Sequence, residues 1–219
     1  MIYNKDYREI IDSINIDNTL IIIDPPYNVG WKYDSYKDNL TDEEYSDLFV
    51  CFEGYKLVVI HYIEDIIKYL VPIMGVPEKV VQWIYNSNLK RQHRSIAFFN
   101  CKPDLSKVKQ KPKNPEDLRV NQEVNIYDWW NVNLVKNVSK QKENYCTQIP
   151  EKIISNIIQT TAKDEIIFDA FMGTGTTLAV ASKLGYKYIG CDVSPTACKI
   201  TKKRLYNIEN NLFNQKITK

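Results

Sequence analysis

The sequence lacks the cysteine and histidine patterns that disulfide frameworks and zinc sites require. Its five cysteines are odd in number and form neither C-x-x-C pairs nor histidine-flanked clusters, so we expect reduced, mostly packed thiols and no metal site. Of the two histidines, neither His61 nor His93 is paired with an obvious nucleophile, and we interpret both as non-catalytic.

Long apolar runs are also absent. Nowhere do 18 apolar residues stand together, and the first ten residues, MIYNKDYREI, contain no basic stretch followed by an apolar run. These absences predict a soluble, cytoplasmic protein with no membrane partner. A length of 219 residues, 44% of them hydrophobic, suits one well-covered core rather than two full domains. We therefore predict a single domain over 1–219 that carries a small insert.

The net charge of +2 conceals an uneven distribution. Residues 90–145 contain 12 lysines and arginines against 6 acids, which leaves the rest of the chain mildly acidic. A basic segment on an acidic body favours a polyanionic partner. The alternative is an ordinary solvated loop in a lysine-rich protein.

Short apolar runs rich in β-branched and aromatic residues alternate with helical periods. The runs predict strands at 19–24, 56–62, 79–85, 94–100, 165–170 and 186–192. Helices are predicted after the N-caps Thr41 and Ser194, after Pro150, and from Thr176 to Gly185.

The alternation of strands and helices indicates an α/β fold with a mostly parallel sheet that is covered on both faces. Residues 83–99 are the exception, because two strands separated by a polar, basic turn predict an antiparallel hairpin at the sheet edge. Residues 102–145, rich in Lys, Asn, Pro and Gln, are the predicted insert.

The stretch IIIDPPYNVG, residues 21–30, places a rigid acidic corner at the end of a buried strand. The isoleucines are typical of a strand, whereas Asp24, Pro25, Pro26 and Tyr27 cannot continue a sheet. Two prolines restrict the corner to one shape, so any acceptors on it would be pre-organised. The plain alternative is a strand-ending turn without a function.

A second informative stretch, IIFDAFMGTGTTLAVASKLGYKYIGCD, combines a strand, a glycine turn and a helix. Gly173-Thr174-Gly175 is typical of a nucleotide-binding turn, where the backbone approaches a ligand closely. The next strand ends at Asp192, 17 residues after Gly175, where a carboxylate can accept both hydroxyls of a ribose. Leu178 stands at the third-glycine position of the dinucleotide fingerprint, which favours a nucleoside without a pyrophosphate over NAD.

Together these motifs resemble those of a known enzyme family. FDAFMGTGTT resembles the S-adenosylmethionine-binding motif of amino-methyltransferases, and DPPY resembles their catalytic motif. NYCTQIPEKIISNII is similar to the segment that precedes the cofactor motif in one permuted group. The order of the motifs, with the catalytic one first, resembles the beta group of DNA amino-methyltransferases. The resemblance covers both ends of the chain and most of the predicted sheet, but not 102–145.

The resemblance implies a fold and a reaction. The expected fold is a single Rossmann-like methyltransferase sheet that is circularly permuted and mostly parallel, with an antiparallel edge hairpin. The expected reaction moves a methyl group from S-adenosylmethionine to the exocyclic amine of a flipped-out adenine in double-stranded DNA. Asp24 and the carbonyl of Pro25 would accept the two N–H groups of the amine, Pro26 would help to fix the corner, and Tyr27 would stack on the base. No metal is required.

The resemblance also implies a set of cofactor-binding residues: Asp6, Thr147, Gln148, Asp169, Phe171, Gly173, Thr174, Gly175, Thr176, Thr177 and Asp192. Asp6 would accept from the adenine amine of the cofactor, although it can also be a helix N-cap. Phe171 can instead belong to the core. Thr147 and Gln148 can form a plain approach to the following helix.

Two departures from the family pattern bear on these expectations. Ala170 stands where the family usually has a proline, and Tyr145-Cys146-Thr147-Gln148-Ile149-Pro150 replaces its His-Pro-Thr-Gln-Lys-Pro run. The choice of adenine follows from Asp-Pro-Pro-Tyr-Asn, since members that methylate the amine of cytosine usually resemble Ser-Pro-Pro-Tyr.

Within the basic segment, the candidate contacts to DNA phosphates are Arg91, Arg94, Lys109, Lys111 and Lys113. Such contacts position a duplex without reading its sequence. The resemblance allows a homodimer or a second methyltransferase subunit as a partner, and a cognate restriction enzyme. Three alternatives stay open: a cytosine exocyclic-amine DNA methyltransferase, a non-catalytic DNA-binding methyltransferase-like subunit, and an enzyme that methylates RNA or protein glutamine.

Overall fold

The computed structural model describes residues 1–87, 91–113, 119, 121–135, 139, 142–143 and 148–217, with side chains described up to residue 210. Its strands are β1 (Ile2–Tyr3), β2 (Thr19–Ile23), β3 (Lys56–His61), β4 (Lys79–Ile84), β5 (His93–Phe99), β6 (Lys109–Gln110), β7 (Val124–Asn125), β8 (Trp129–Asn131), β9 (Ile166–Asp169) and β10 (Tyr188–Cys191). Its α-helices are α1 (Asp42–Val50), α2 (Ile63–Asp65), α3 (Val71–Met74), α4 (Glu151–Thr161), α5 (Thr176–Lys183) and α6 (Pro195–Ile217). A π-helical turn, Ile66–Leu70, joins α2 to α3.

Eight strands form one sheet in the order β1-β10-β9-β2-β3-β5-β4-β8. From β1 to β3 every neighbouring pair is parallel, whereas β5 is antiparallel to both β3 and β4. The predicted α/β fold, with a mostly parallel sheet and an antiparallel β4–β5 hairpin, is confirmed. Outside the hairpin lies β8, a short strand from the predicted insert that pairs with β4 in parallel.

Apolar side chains cover both faces of the sheet. In β2, Leu20 and Ile22 join one apolar layer while Ile21 and Ile23 join the other, because successive residues of a strand point to opposite faces. Helices α4 and α5 pack on the first layer, and α1 and the π-helical turn pack on the second. Burial on both faces explains why the strands read as continuous apolar runs.

The predicted helix starts are confirmed. The Glu44 N–H donates to the Thr41 hydroxyl, and the Glu44 carboxylate accepts from the Thr41 N–H, which caps α1. Ser194 accepts from the Ala197 N–H at the start of α6. Between β3 and β4 the chain is also helical, and no helix was predicted there. In the part of the chain that the structure describes, no helix combines the length and apolar character needed to cross a bilayer.

The described part of the predicted insert packs onto the rest of the protein. Strands β6 and β7 pair as a separate two-stranded sheet. The Asp104 N–H donates to the Thr160 carbonyl of α4 at 2.7 Å. Three side chains of the insert are buried in the same apolar layer as α4: Val108, Ile126 and Trp130. The insert thus extends the hydrophobic core of the sheet.

The sheet brings three carboxylates to one edge. Strands β10, β9 and β2 are parallel neighbours, so their carboxyl ends meet. Asp192 directly follows β10, Asp169 ends β9, and Asp24 directly follows β2. Ligands of open α/β sheets bind at this edge, and the two sequence motifs therefore meet there.

Helix α6 holds the glycine turn between β9 and α5. The Thr201 hydroxyl donates to the Gly173 carbonyl at 2.9 Å, and buried Arg204 donates to the Thr174 carbonyl at 3.0 Å. Gly175 has a φ of +70°, and a Cβ atom there would overlap the Thr201 side chain. Glycine is therefore required at this position by close contact with α6 as well as by its left-handed backbone.

We expect Gly175→Ala to destabilise the fold more than Gly185→Ala. Both glycines have positive φ, +70° and +81°, but a Cβ atom at Gly185 would meet nothing within 4 Å. The control should cost about 1 to 2 kcal/mol from backbone strain alone, and Gly175→Ala should add about 1 to 3 kcal/mol of overpacking. Urea unfolding measures both free energies. Equal losses would show that α6 yields easily to the added methyl group.

Candidate active site

The acidic corner and the glycine turn, far apart in sequence, line the same cleft. The predicted residues in its lining are Asp6, Asp24, Pro25, Pro26, Tyr27, Gln148, Asp169, Phe171, Gly173, Thr174, Thr176, Thr177 and Asp192. Arg94 and the loop 33–36 also contribute. Thr147 lies outside the described residues.

The corner after β2 is fixed by side-chain hydrogen bonds. The Tyr27 hydroxyl donates to Oδ1 of Asp24 at 2.6 Å. The Asn28 side chain accepts from the Leu40 N–H at 2.7 Å and donates to the Leu40 carbonyl at 2.9 Å. Buried Asp38 accepts from the N–H of Asn28 at 2.8 Å. The corner is therefore held by more than its two prolines, as pre-organisation requires.

Two buried side chains support the corner from the sheet and from α1. The Tyr45 hydroxyl donates to the Pro26 carbonyl, so its oxygen accepts from Nε2 of His61, which lies 2.8 Å away. The His61 ring stacks on Tyr27 with a centroid distance of 4.4 Å. His61, interpreted as non-catalytic from the sequence, thus contacts the acidic corner as a support.

Arg94, predicted as a contact to DNA phosphate, lies in the lining of the cleft. Its side chain is 19% exposed, and its Nη1 lies 4.0 Å from Oδ1 of Asp24. Its Cζ lies 4.8 Å from the ring centroid of Tyr27 and 5.3 Å from that of Trp83. The physical reason is the strand register, because Arg94 pairs with Trp83 and therefore shares its face of the sheet.

The electrostatics of Asp24 combine burial with a neighbouring cation. Burial raises the pKa of Asp24, while the charge of Arg94 and the hydrogen bond from Tyr27 oppose this rise. Burial also raises the pKa of Tyr27, so its hydroxyl keeps the proton that it donates to Asp24. Burial alone would lower the pKa of Arg94, but Tyr27 and Asp24 raise it above the ordinary value.

The carboxylate after β10 is tied to the glycine turn by backbone groups. Oδ2 of Asp192 accepts from the Gly173 N–H at 2.9 Å, and Oδ1 accepts from the Ser194 N–H at 2.8 Å. Burial raises the pKa of Asp192, and these two hydrogen bonds oppose the rise. Each carboxylate oxygen has a second lone pair, so Asp192 can still accept hydroxyl groups from a ligand.

Asp169 is 5% exposed at the end of β9. Burial raises the pKa of Asp169 to about 7, although the Thr177 side chain and the Phe171 N–H donate to it and oppose the rise. The nearby charges of Asp192 and Asp24 add to the rise. Asp169 therefore has weaker electrostatic compensation than the carboxylates on either side of it.

The structure is compatible with both a structural role and a ligand contact for Asp6 and for Phe171. Asp6 caps the 3₁₀ turn Tyr7–Glu9 and accepts from the Arg8 guanidinium at 2.6 Å; this hydrogen bond lowers the pKa of Asp6. Asp6 is nevertheless one of the residues that line the cleft. Phe171 packs against Tyr7 at a centroid distance of 4.9 Å and also lines the cleft. Each residue can serve the core and a ligand together.

The Cβ position of Gly175 faces Thr201 of α6, and a contact between the Gly175 backbone and the cofactor stays a prediction. The remaining predicted DNA contacts lie on the outer surface. Arg91 pairs with Glu64 at 2.9 Å, and the side chains of three lysines are exposed: Lys109, Lys111 and Lys113.

Sequence reasoning missed the residues that support the two motifs. Thr201 and Arg204 stand three residues apart in α6, hence on one face of the helix. Both are polar residues at buried positions, and buried polar side chains need hydrogen-bond partners, here the backbone of the glycine turn. The contact between Tyr45 and the corner could not be predicted, because an aromatic residue in an apolar pattern is expected to be a core residue. Among the described residues, no group of three or more His, Cys, Asp or Glu side chains could hold a metal ion.

Solved structures share this fold. The complex of M1.HpyAVI with SAM aligns over 94% of this chain and 98% of its own, with a TM-score of 0.61 and 20% identity. The PvuII DNA methyltransferase, titled cytosine-N4-specific, aligns over 97% of this chain and 92% of its own, with a TM-score of 0.68 and 17% identity. At these identities the likeness shows a common fold.

Curated relatives share sequence over part of their length. The type II methyltransferase M.HpaI of Haemophilus parainfluenzae is 26% identical over 211 residues, which cover 85% of this chain and 67% of the relative. The type II methyltransferase M2.DpnII of Streptococcus pneumoniae is 38% identical over 128 residues, which cover 58% of this chain and 41% of the relative.

A family match covers most of the chain. Residues 19–203 match the N6/N4 methyltransferases, described as DNA methylases. This range runs from the start of β2 into α6, so it includes both the acidic corner and the glycine turn. The protein therefore belongs to the N6/N4 DNA methylase family.

Proposed function

We propose that this protein transfers a methyl group from S-adenosylmethionine to the exocyclic amine of an adenine in double-stranded DNA. The observation that carries the proposal is the single cleft in which the Asp24–Tyr27 corner meets the glycine turn and Asp192. The match to the DNA methylase family and the SAM complex of a protein with the same fold support the same conclusion.

The cofactor end of the cleft suits a nucleoside with a charged amino-acid tail. Asp192 would accept the ribose hydroxyls, Asp6 would accept from the adenine amine, and Phe171 would contact the adenine ring. Gln148, Asp169, Gly173, Thr174, Thr176 and Thr177 would line the rest of the site. When bound, S-adenosylmethionine supplies an electrophilic methyl group on a sulfonium sulfur.

The corner end of the cleft suits an exocyclic amine. Such a nitrogen is a weak nucleophile because its lone pair is delocalised into the base. Tyr27 and Arg94 both approach Oδ1 of Asp24, so Oδ2 would accept one N–H, and the Pro25 carbonyl would accept the other. These bonds would localise the lone pair toward the methyl group and leave Asp24 placed to take the proton that the amine loses. The base reaches this cleft only when flipped out of the duplex.

Adenine is the proposed base because of the Asp-Pro-Pro-Tyr-Asn run, and the permuted beta group is the proposed subgroup because the catalytic motif precedes the cofactor motif. A solved protein with the same fold is titled cytosine-N4-specific, so cytosine is the other outcome of the test. Long-read sequencing of DNA from cells that express the protein reports the modified base and its sequence context together. Modification at neither amine would overturn the proposal.

We expect Asp24→Ala to slow methyl transfer strongly and to lower thermal stability, because Arg94 loses its counter-charge, while the folded variant keeps its affinity for S-adenosylmethionine. The carboxylate would touch the target amine and not the cofactor, and the loss of a positioned acceptor costs on the order of a hundredfold in rate. Transfer of tritium from labelled cofactor to DNA measures the rate, and calorimetry measures the affinity. Wild-type turnover in this variant would contradict the assigned role of Asp24.

We expect Asp192→Ala, unlike Asp24→Ala, to weaken the binding of S-adenosylmethionine. Loss of charge-assisted hydrogen bonds to the ribose should weaken binding by roughly 1 to 3 kcal/mol. Because Asp192 also accepts from the N–H groups of Gly173 and Ser194, some loss of thermal stability should accompany it. Asp24→Ala is the matched control, since it removes a carboxylate from the same cleft. Equal affinities in the two variants would mean that the cofactor binds elsewhere.

We expect the exposed lysines of the insert to contact phosphates as a group. Replacement of Lys109, Lys111 and Lys113 by glutamine should flatten the log–log salt dependence of duplex affinity by up to about three units, whatever the sequence. The matched control replaces three exposed lysines of α6, Lys199, Lys202 and Lys203. If both triple variants keep the wild-type slope, the lysines of the insert are exposed to solvent but do not contact DNA.

A further inference from the structure

Arg94 places a half-buried positive charge beside the acidic corner. Its Nη1 lies 4.0 Å from Oδ1 of Asp24, and its side chain is 19% exposed. Its Nε is buried and has no hydrogen-bond partner among the described residues. A guanidinium in such a place is unfavourable for folding unless another charge compensates it. Asp24 supplies that charge, so the two groups form an interdependent pair inside the cleft.

We propose that Arg94 is a positioning residue that keeps Asp24 ionised, and so able to accept an N–H group of the target amine. The inference rests on the proposed function, because it assigns Asp24 the role of acceptor. It goes beyond that function by giving a task to a residue that neither motif contains.

The separation between the two side chains supports this role. At 4.0 Å the contact is too long for a hydrogen bond, so Arg94 acts on Asp24 through its charge and leaves the carboxylate lone pairs free. An opposite charge within about 4 to 6 Å lowers the pKa of a carboxyl group by about 1 to 3 units. This effect opposes the burial that raises the pKa of Asp24.

Other titratable groups also face this pair. The Tyr27 hydroxyl donates to Asp24, His61 lies behind the Tyr27 ring, and Asp169 adds a charge of the same sign. Tyr62 and Tyr85 lie on the side of Arg94. Arginine alone among these residue types stays positively charged through the whole range in which carboxylates titrate, so it is the constant source of positive potential at Asp24.

The test compares pH–rate profiles under single-turnover conditions. Since only ionised Asp24 accepts an N–H, the rate should fall as the pH falls through the pKa of Asp24. In Arg94→Met, which keeps the length but removes the charge, this acid limb should move to higher pH by about 1 to 3 units. In Arg94→Lys it should stay near that of the wild type. Lys68→Met is the matched control, because it removes a cation from the ring of Tyr69 outside the cleft.

A merely structural role would lower the rate equally at every pH and leave the acid limb in place, and that result would overturn the proposal. Carbon-13 NMR of the Asp24 carboxyl group in wild type, Arg94→Met and Arg94→Gln gives a second readout without DNA. An unchanged midpoint in the neutral variants would also overturn it. Calorimetry with S-adenosylmethionine identifies which variants keep a folded cleft. If Asp24→Ala retained activity, the proposed role of Asp24 as acceptor would fail, whereas the NMR midpoints would still decide the effect of Arg94 on Asp24.

Discussion

The site depends on the need to stabilise three carboxylates that the sheet brings to one buried edge. Asp192, Asp169 and Asp24 stand at the carboxyl ends of three adjacent parallel strands, where each loses hydration and feels negative charge nearby. Each is compensated differently. Backbone N–H groups hold Asp192, a cation and a hydroxyl hold Asp24, and Asp169 keeps a raised pKa of about 7. These different environments suit different tasks at one edge of the sheet.

This constraint explains why elements outside the two motifs matter. The N–H of Gly173 can reach Asp192 only while the glycine turn keeps its shape, and α6 fixes that shape through Thr201 and Arg204. Arg204 in turn pairs with Glu151 at the start of α4, 2.9 Å away. The last helix therefore connects the glycine turn at the cleft to the apolar layer beneath the sheet.

Much of the fold was predictable, because strands buried on both faces and capped helix starts leave local signals. The runs that end at Asp24, Asp169 and Asp192 are strands with nearly the predicted bounds, and Thr41 and Ser194 cap the predicted helices. Contacts between distant segments were not predictable. The sequence does not show that the strand register pairs Arg94 with Trp83, nor that α6 packs against Gly175. The local sequence pattern around a residue carries no information about its contacts with distant segments of the chain.

The basic residues illustrate the difference most clearly. A count of charge along 90–145 treats Arg94 and Lys111 alike, yet the structure places one in the cleft and the other on the surface. A surface lysine is screened by salt and suits contact with a flexible polyanion. A buried guanidinium is screened little, so it acts on a single carboxylate at short range. Under the proposed function, burial rather than net charge would therefore separate the cation that acts on Asp24 from the lysines that would contact DNA.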